Sequence, residues 1–126
     1  MTRAAELGYE ALALTDHDGV YGSLEFAHAA KALGVRAITG TEITLDGGAH
    51  ITLLVESRRG YASLCRLLTA AHAGTRADTG GARCNSPLHP SVSLELVGEL
   101  SEGLVCLSGC DAPSRKEYAE WQCSST

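Results

Sequence analysis

The alternation of short apolar runs with a helical pattern in the first third of the chain leaves few possible folds. "ALAL" at 11–14 and "VRAIT" at 35–39 are runs typical of strands that are covered on both faces. Between them, Ser23 is a candidate N-cap for a helix over 24–33, and Gly34 follows its end. Strand, helix and strand in this order predict a βαβ unit with a parallel sheet.

The next segments predict a β-hairpin, two helices and a last strand. "EITL" and "HITLLV" flank an Asp-Gly-Gly turn, and Ser57 is a candidate cap for the helix "RRGYASLCRLLTAAHA". The apolar stripe of that helix consists of Tyr61, Leu64, Leu68 and Ala71. After a loop at 75–92, a helix over 94–100 precedes a strand at 104–107. The order predicts an α/β protein with mainly parallel strands and one hairpin.

Composition narrows the class of protein. Apolar residues make up 44% and charged residues 20% of the 126 residues, as in a globular protein of one domain. The net charge of −5 argues against a dedicated nucleic-acid binder, which carries a basic face. Neither a secretion signal nor a membrane span is apparent. We therefore expect a cytoplasmic protein with no membrane contact, whose five cysteines are thiols or metal ligands.

Residues of reactive type follow three of the predicted strands. "TDHD" comes after the first strand, "GTE" after the second and "SGC" after the last. Functional sites of parallel α/β sheets lie at the carboxyl ends of strands. His50 begins the second strand of the hairpin. Because that strand is antiparallel to the first, we expect His50 to lie near the "GTE" segment. The candidate ligands are therefore His17, Glu42, His50 and Cys110.

Imidazole, carboxylate and thiolate together suit zinc or manganese, and a thiolate favours zinc. Asp16 and Asp18 flank His17. They are candidates for hydrogen bonding to its ring and so orienting it, without binding the metal themselves. Each of the four candidates also has an ordinary interpretation, as a solvated histidine, a surface carboxylate or a small buried cysteine. The helical histidines His28 and His72 are expected to line a packed or solvated face.

Three segments, taken in order, resemble one known family: "ALALTDHDGVYGSLEFAHAAKALGVRAITGTEITL", "HITLLVESRRGYASLCRLLTAAHAGTR" and "EGLVCLSGC". They resemble the PHP (polymerase and histidinol phosphatase) domain, and most closely that of the bacterial DNA polymerase III alpha subunit of the error-prone type. The resemblance covers about residues 4–110. It implies a partial, distorted (β/α) barrel over 1–110, with 111–126 as a divergent tail.

The resemblance also implies a multinuclear metal cluster at the carboxyl end of the barrel. By this resemblance, His17, Glu42 and His50 match family ligands, and Cys110 matches a position that is Cys in polymerases and His in phosphatases. The family's early His-x-His and late Asp-x-His motifs have no counterpart in the sequence. We therefore expect binding of zinc or manganese to be at most partial in this chain.

The implied function is that of a fragment of a polymerase PHP domain, in DNA replication or error-prone repair synthesis. Its family chemistry is metal-dependent phosphodiester hydrolysis of the 3′–5′ exonuclease type, and we expect little or none of it from this chain alone. The implied partners are DNA and replisome subunits through the parent polymerase, and open sheet edges predict self-association. The alternatives are a free-standing phosphoesterase similar to histidinol phosphatase and a non-catalytic scaffold module.

Overall fold

The computed structural model describes residues 1–73, 75 and 89–108. They form α1 (Thr2–Glu6), β1 (Ala11–His17), α2 (Ser23–Ala32), β2 (Arg36–Thr44), β3 (His50–Val55), α3 (Arg58–Ala73), α4 (Leu94–Glu99) and β4 (Leu104–Ser108). The predicted order of strands and helices is confirmed, and α1 is a short addition before it. Most of the predicted loop and the whole predicted tail lie outside the described residues.

The four strands form one open sheet in the order β1-β2-β3-β4. β1 and β2 are parallel, while β3 is antiparallel to both β2 and β4. Three of the four strands therefore run in the same direction, and β3 is the reversed strand of the predicted hairpin. The expected α/β class, with mainly parallel strands and one hairpin, is confirmed, and an open four-stranded sheet is consistent with a partial barrel.

β1 and β2 are longer than the apolar runs alone predict. β1 continues past Leu14 to His17, and β2 continues past Thr39 to Thr44. The reason is the parallel register, which pairs the backbone of "TDH" at 15–17 with that of "GTE" at 40–42, so that His17 lies opposite Glu42. Glu42 therefore lies within a strand and not after its end.

α2 begins at Ser23, and the predicted cap by Ser23 is wrong. The N-cap is Gly22, whose amide donates a hydrogen bond to Oδ2 of Asp16 at 2.8 Å. The hydroxyl of Ser23 instead donates to the carbonyl oxygen of Val20. The predicted cap of α3 is confirmed, since Oγ of Ser57 accepts a hydrogen bond from the amide of Gly60.

The hydrophobic core lies between one face of the sheet and α3. The sheet contributes Ile43, Ile51 and Leu53, and the helices contribute Leu64, Leu67 and Val97, all at most 1% exposed. The predicted apolar stripe of α3 is correct for Leu64, Leu68 and Ala71 but not for Tyr61, which is 45% exposed. None of the described helices has both the length and the apolar character needed to cross a membrane.

The reason that Tyr61 faces outward is the close packing of the preceding residue. Gly60 lies against the backbone of Gly103, the residue before β4, and a Cβ atom on Gly60 would overlap the Gly103 carbonyl oxygen. The same carbonyl accepts a hydrogen bond from the amide of Glu56 at 3.0 Å. The start of α3 is therefore fixed against the turn that leads into β4.

The other face of the sheet, which we call the open face, is more accessible. It carries alternate residues of each strand, and several of them are exposed: Ala13, Thr15, His17, Val105 and Leu107. The predicted ligands His17, Glu42 and His50 belong to this face.

Candidate metal centre

Three of the four predicted ligands lie together on the open face. β1 and β2 pair with His17 opposite Glu42, and β2 and β3 pair with Thr44 opposite His50. Nδ1 of His17 lies 3.1 Å from Oε2 of Glu42. The rings of His17 and His50 meet edge to face, with 5.0 Å between their centroids. We call His17, Glu42 and His50 the imidazole–carboxylate cluster.

The ring of His17 lies between two carboxylates. Its Nδ1 atom faces Oε2 of Glu42, and its Nε2 atom lies 3.3 Å from Oδ2 of Asp18. A neutral imidazole carries one proton, so it can donate a hydrogen bond to only one of these two oxygens. The lone pair of the other ring nitrogen then faces the second carboxylate oxygen. Such a nitrogen of a neutral imidazole is the atom that binds a metal ion.

Asp18 is the most tightly bonded residue of the site. It is 6% exposed, and its carboxylate accepts hydrogen bonds from the amide and the hydroxyl of Thr44, both at 2.7 Å. Its own amide donates to the carbonyl oxygen of Glu42 at 2.8 Å. Asp18 thus lies beside His17 with a fixed carboxylate, as a residue that orients the ring would.

Asp16 is not brought to the cluster. Neighbouring residues of a strand point to opposite faces, so Asp16 lies on the face away from His17. Its carboxylate accepts the hydrogen bond from the amide of Gly22 at the start of α2, and its carbonyl oxygen accepts one from the hydroxyl of Thr41. In the structure, Asp16 therefore fixes the turn between β1 and α2.

Cys110, the fourth predicted ligand, lies outside the described residues. β4 ends at Ser108, which pairs with Ile51, the neighbour of His50. The cysteines within the described residues, Cys65 and Cys106, are free thiols. Burial raises the pKa of the Cys106 thiol, which lies on the core face of β4.

The imidazole–carboxylate cluster supplies ligand types that suit zinc or manganese, but not a closed set of ligands. Within residues 1–73, 75 and 89–108, no group of three or more histidine, cysteine, aspartate or glutamate side chains is arranged to hold a metal ion. Both nitrogens of His17 face carboxylate oxygens, so a metal ion on this ring would have to displace one of them.

Two residues of the site were not predicted from the sequence. Thr44 lies two residues after Glu42 and therefore on the same face, which is a signal that the strand pattern could have given. His72 was expected to line a packed or solvated face of α3. It is half-buried, and its Nε2 atom lies 2.8 Å from the carbonyl oxygen of Asp18, a contact that the sequence does not indicate. The only local sign in the sequence is that His72 lies four residues after Leu68, and therefore on the same side of the helix as this predicted apolar residue.

A cavity of about 440 Å³ lies beside Asp18 on the side of α3. Its lining comes from the turn after β1 and from the last part of α3: Asp18, Gly19, Val20, Tyr21, Leu68, Thr69, His72 and Ala73. No member of the imidazole–carboxylate cluster lines it, so the cavity and the cluster lie on different sides of Asp18.

Comparison with known proteins identifies relatives over most of the chain. A profile of the PHP domain matches residues 1–117. An error-prone DNA polymerase of Symbiobacterium thermophilum is 43% identical over 116 residues, which cover 87% of this chain and 11% of that protein. An error-prone DNA polymerase of Cutibacterium acnes is 36% identical over 120 residues, which cover 86% of this chain and 10% of that protein.

Among solved structures, a candidate metal-dependent phosphoesterase from Bifidobacterium adolescentis aligns with a TM-score of 0.44 and 23% identity. That alignment covers 59% of this chain and 27% of the other. The chain spans about a tenth of the length of the two polymerases that it matches.

Proposed function

The chain belongs to the PHP domain family, and from this premise we propose that it is the metal-binding part of a polymerase-type PHP domain. The family follows from the profile match over residues 1–117. The polymerase type is supported by the identity of 43% to a protein named as an error-prone DNA polymerase. Because the chain spans only about a tenth of such relatives, DNA as a substrate, replisome subunits as partners and a role in replication or repair are parts of this proposal.

The observation that carries the proposal is the ring of His17, which lies between the carboxylates of Asp18 and Glu42 with His50 at 5.0 Å. Two imidazoles and two carboxylates lie together here, and imidazole with carboxylate suits zinc or manganese. We propose His17, Glu42 and His50 as ligands, with Cys110 as a fourth, and Asp18 as the residue that orients His17. A bound ion would activate water for attack on a phosphodiester and offset the charge on the leaving oxygen.

Within the proposed site, the residues of this chain have separate tasks. Thr44 fixes the Asp18 carboxylate through two hydrogen bonds of 2.7 Å. Asp18 in turn limits the rotation of the His17 ring, as residues that contact a metal ligand usually do. The exposed side chains of the open face leave room for a substrate to approach the cluster.

The test is metal binding by the 126-residue chain after treatment with a chelator, measured by titration with Zn²⁺ and with Mn²⁺. We expect binding that is lost in His17→Ala and weakened in Glu42→Gln. His28→Ala is the matched control, because His28 is an exposed histidine on α2. If His28→Ala weakens binding as much as His17→Ala does, the proposed ligands are wrong. Hydrolysis of a phosphodiester such as bis(p-nitrophenyl) phosphate, and of single-stranded DNA labelled at its 5′ end, then tests the chemistry.

A non-catalytic scaffold is the second candidate. It is favoured by the lack of a closed group of three metal ligands in the described part of the chain. A scaffold would bind neither ion, and His17→Ala would leave its thermal stability unchanged. The same titration therefore decides between the two functions.

A further inference from the structure

His72, near the end of α3, forms a long-range contact with the turn that follows β1. Its Nε2 atom lies 2.8 Å from the carbonyl oxygen of Asp18, a residue 54 positions away in the sequence. A carbonyl oxygen only accepts hydrogen bonds, so Nε2 of His72 carries the ring hydrogen and donates the hydrogen bond. In the neutral ring, Nδ1 of His72 is then the nitrogen with the free electron pair.

The backbone of Asp18 needs such a partner. Its φ angle is 47°, in the left-handed region that residues other than glycine seldom adopt. A residue in that region keeps its conformation only when its surroundings fix it. The amide and the carboxylate of Asp18 are bonded to Glu42 and Thr44, both in β2, whereas its carbonyl is bonded to His72 in α3.

The peptide that links Asp18 to Gly19 is fixed from both of its sides. The Asp18 carbonyl accepts from His72, and the Gly19 amide donates to Oγ1 of Thr41 at 3.2 Å. Because a peptide is planar, these two bonds together fix its orientation, and with it the ψ angle of Asp18. The Asp18 Cα atom, from which the carboxylate extends toward His17, is therefore held on this side by the fixed peptide and on the other side by the hydrogen bond of its amide to Glu42.

Close packing alone does not hold His72 in place. The cavity of about 440 Å³ is lined by both Asp18 and His72, so the ring has open space on one side. The hydrogen bond to Asp18, and not steric confinement, is therefore what couples the end of α3 to the turn.

We propose that His72 is a positioning residue for the metal centre, acting on the ring of His17 through the backbone and carboxylate of Asp18. The proposal rests on the proposed function insofar as His17 is taken to be a metal ligand. The coupling of His72 to His17 is a property of the metal-free chain, so it can be measured separately.

The first experiment records long-range ¹H–¹⁵N correlation spectra of the histidine rings in the metal-free 126-residue chain at one fixed pH. In His72→Phe we expect the ring nitrogen signals of His17 to move. In His72→Gln they should stay near their original positions, because the glutamine amide nitrogen reaches about as far as Nε2. His72→Asn, which is one methylene shorter, should behave as His72→Phe does. His28→Phe is the control and should leave the signals unchanged.

The second experiment titrates the same variants with Mn²⁺ and with Zn²⁺. We expect His72→Phe and His72→Asn to lose about tenfold in affinity, and His72→Gln to recover most of that loss. Unchanged His17 signals in a folded His72→Phe chain would overturn the inference. If His72→Phe does not fold, equal His17 signals in the glutamine and asparagine variants overturn it. His17 signals that follow His72 in a chain that binds no metal would instead overturn the proposed function and leave the coupling intact.

Discussion

The two faces of the sheet are built from alternate residues of the same strands, yet they are stabilised in different ways. The core face carries Ile43, Ile51 and Leu53, each at most 1% exposed and packed toward α3. The open face carries the imidazole–carboxylate cluster, where Nδ1 of His17 lies 3.1 Å from Oε2 of Glu42. One face therefore depends on the area of apolar surface removed from water, and the other depends on the distances between particular polar atoms.

Stability and the candidate function are therefore separated across a single layer of backbone. Ile43 on the core face and Glu42 and Thr44 on the open face are consecutive in β2. A substitution at one of these residues should therefore affect packing, while the same change at the next residue affects the site. Four substitutions test that separation.

The core face should be the more sensitive to loss of apolar volume. Leu64 is fully buried in α3, so Leu64→Ala should lower the free energy of unfolding by about 2–5 kcal/mol, measured by denaturation with guanidinium chloride. Leu24, which is 68% exposed on α2, is the matched control, and Leu24→Ala should change the same quantity by less than about 0.5 kcal/mol. Similar losses for the two variants would contradict the assigned core.

The open face should be sensitive to loss of a single hydrogen bond. Thr44→Val keeps the shape of the side chain but removes the hydroxyl that donates to Oδ2 of Asp18 at 2.7 Å. Because that carboxylate is buried, the free energy of unfolding should fall by about 1.5–3 kcal/mol. Thr52→Val, on the same face of β3, is the control and should have little effect. Equal effects would mean that the Asp18 contacts do not stabilise the open face.

Much of the fold could be predicted because it depends on local patterns. The apolar runs that begin β1 and β2 and the Asp-Gly-Gly turn of the hairpin are visible in the sequence. The length of β1 could not be predicted, because polar residues such as Asp16 and His17 extend a strand only when a neighbouring strand pairs with them. The exposure of Tyr61 likewise follows from the contact between Gly60 and Gly103, which no local pattern shows.

The candidate site, like the fold, could be predicted only in part. His17, Glu42 and His50 were chosen from their places in predicted strands, and the structure brings these three together. The sequence groups Asp16 with Asp18 because both flank His17, but the alternation of a strand separates the two carboxylates. The contact of His72 with Asp18 joins residues 54 positions apart, so only tertiary structure reveals it.

The junction between α3 and β4 should distinguish helix propensity from packing. Replacing a helical glycine with alanine ordinarily stabilises a protein by about 0.5–1 kcal/mol. Gly60→Ala should instead destabilise this chain by about 1–2 kcal/mol, because the new methyl group overlaps the carbonyl oxygen of Gly103. Ala62→Gly, at an exposed position of the same helix, is the control and should cost about 1 kcal/mol through propensity alone. A gain of stability in Gly60→Ala would show that the close approach is absent.

The smallest expected effect concerns the pH dependence of the core face. Burial raises the pKa of the Cys106 thiol, so the folded chain keeps this proton to a higher pH than the unfolded chain does. The free energy of unfolding should therefore lose this contribution as the pH rises above about 8.5, where an unperturbed thiol ionises. Cys106→Ala should flatten the decline between about pH 8.5 and 10 in urea denaturation.

Tyr61 provides the control for this decline, because its pKa is also raised, chiefly by the neighbouring Cys65. An unperturbed tyrosine ionises near pH 10, so Tyr61→Phe should change the profile only above about that pH and leave the earlier decline in place. If Cys106→Ala leaves the slope between about pH 8.5 and 10 unaltered, the thiol of Cys106 is not desolvated by the core. The core face would then admit water at β4, and the two faces would differ less than their side chains indicate.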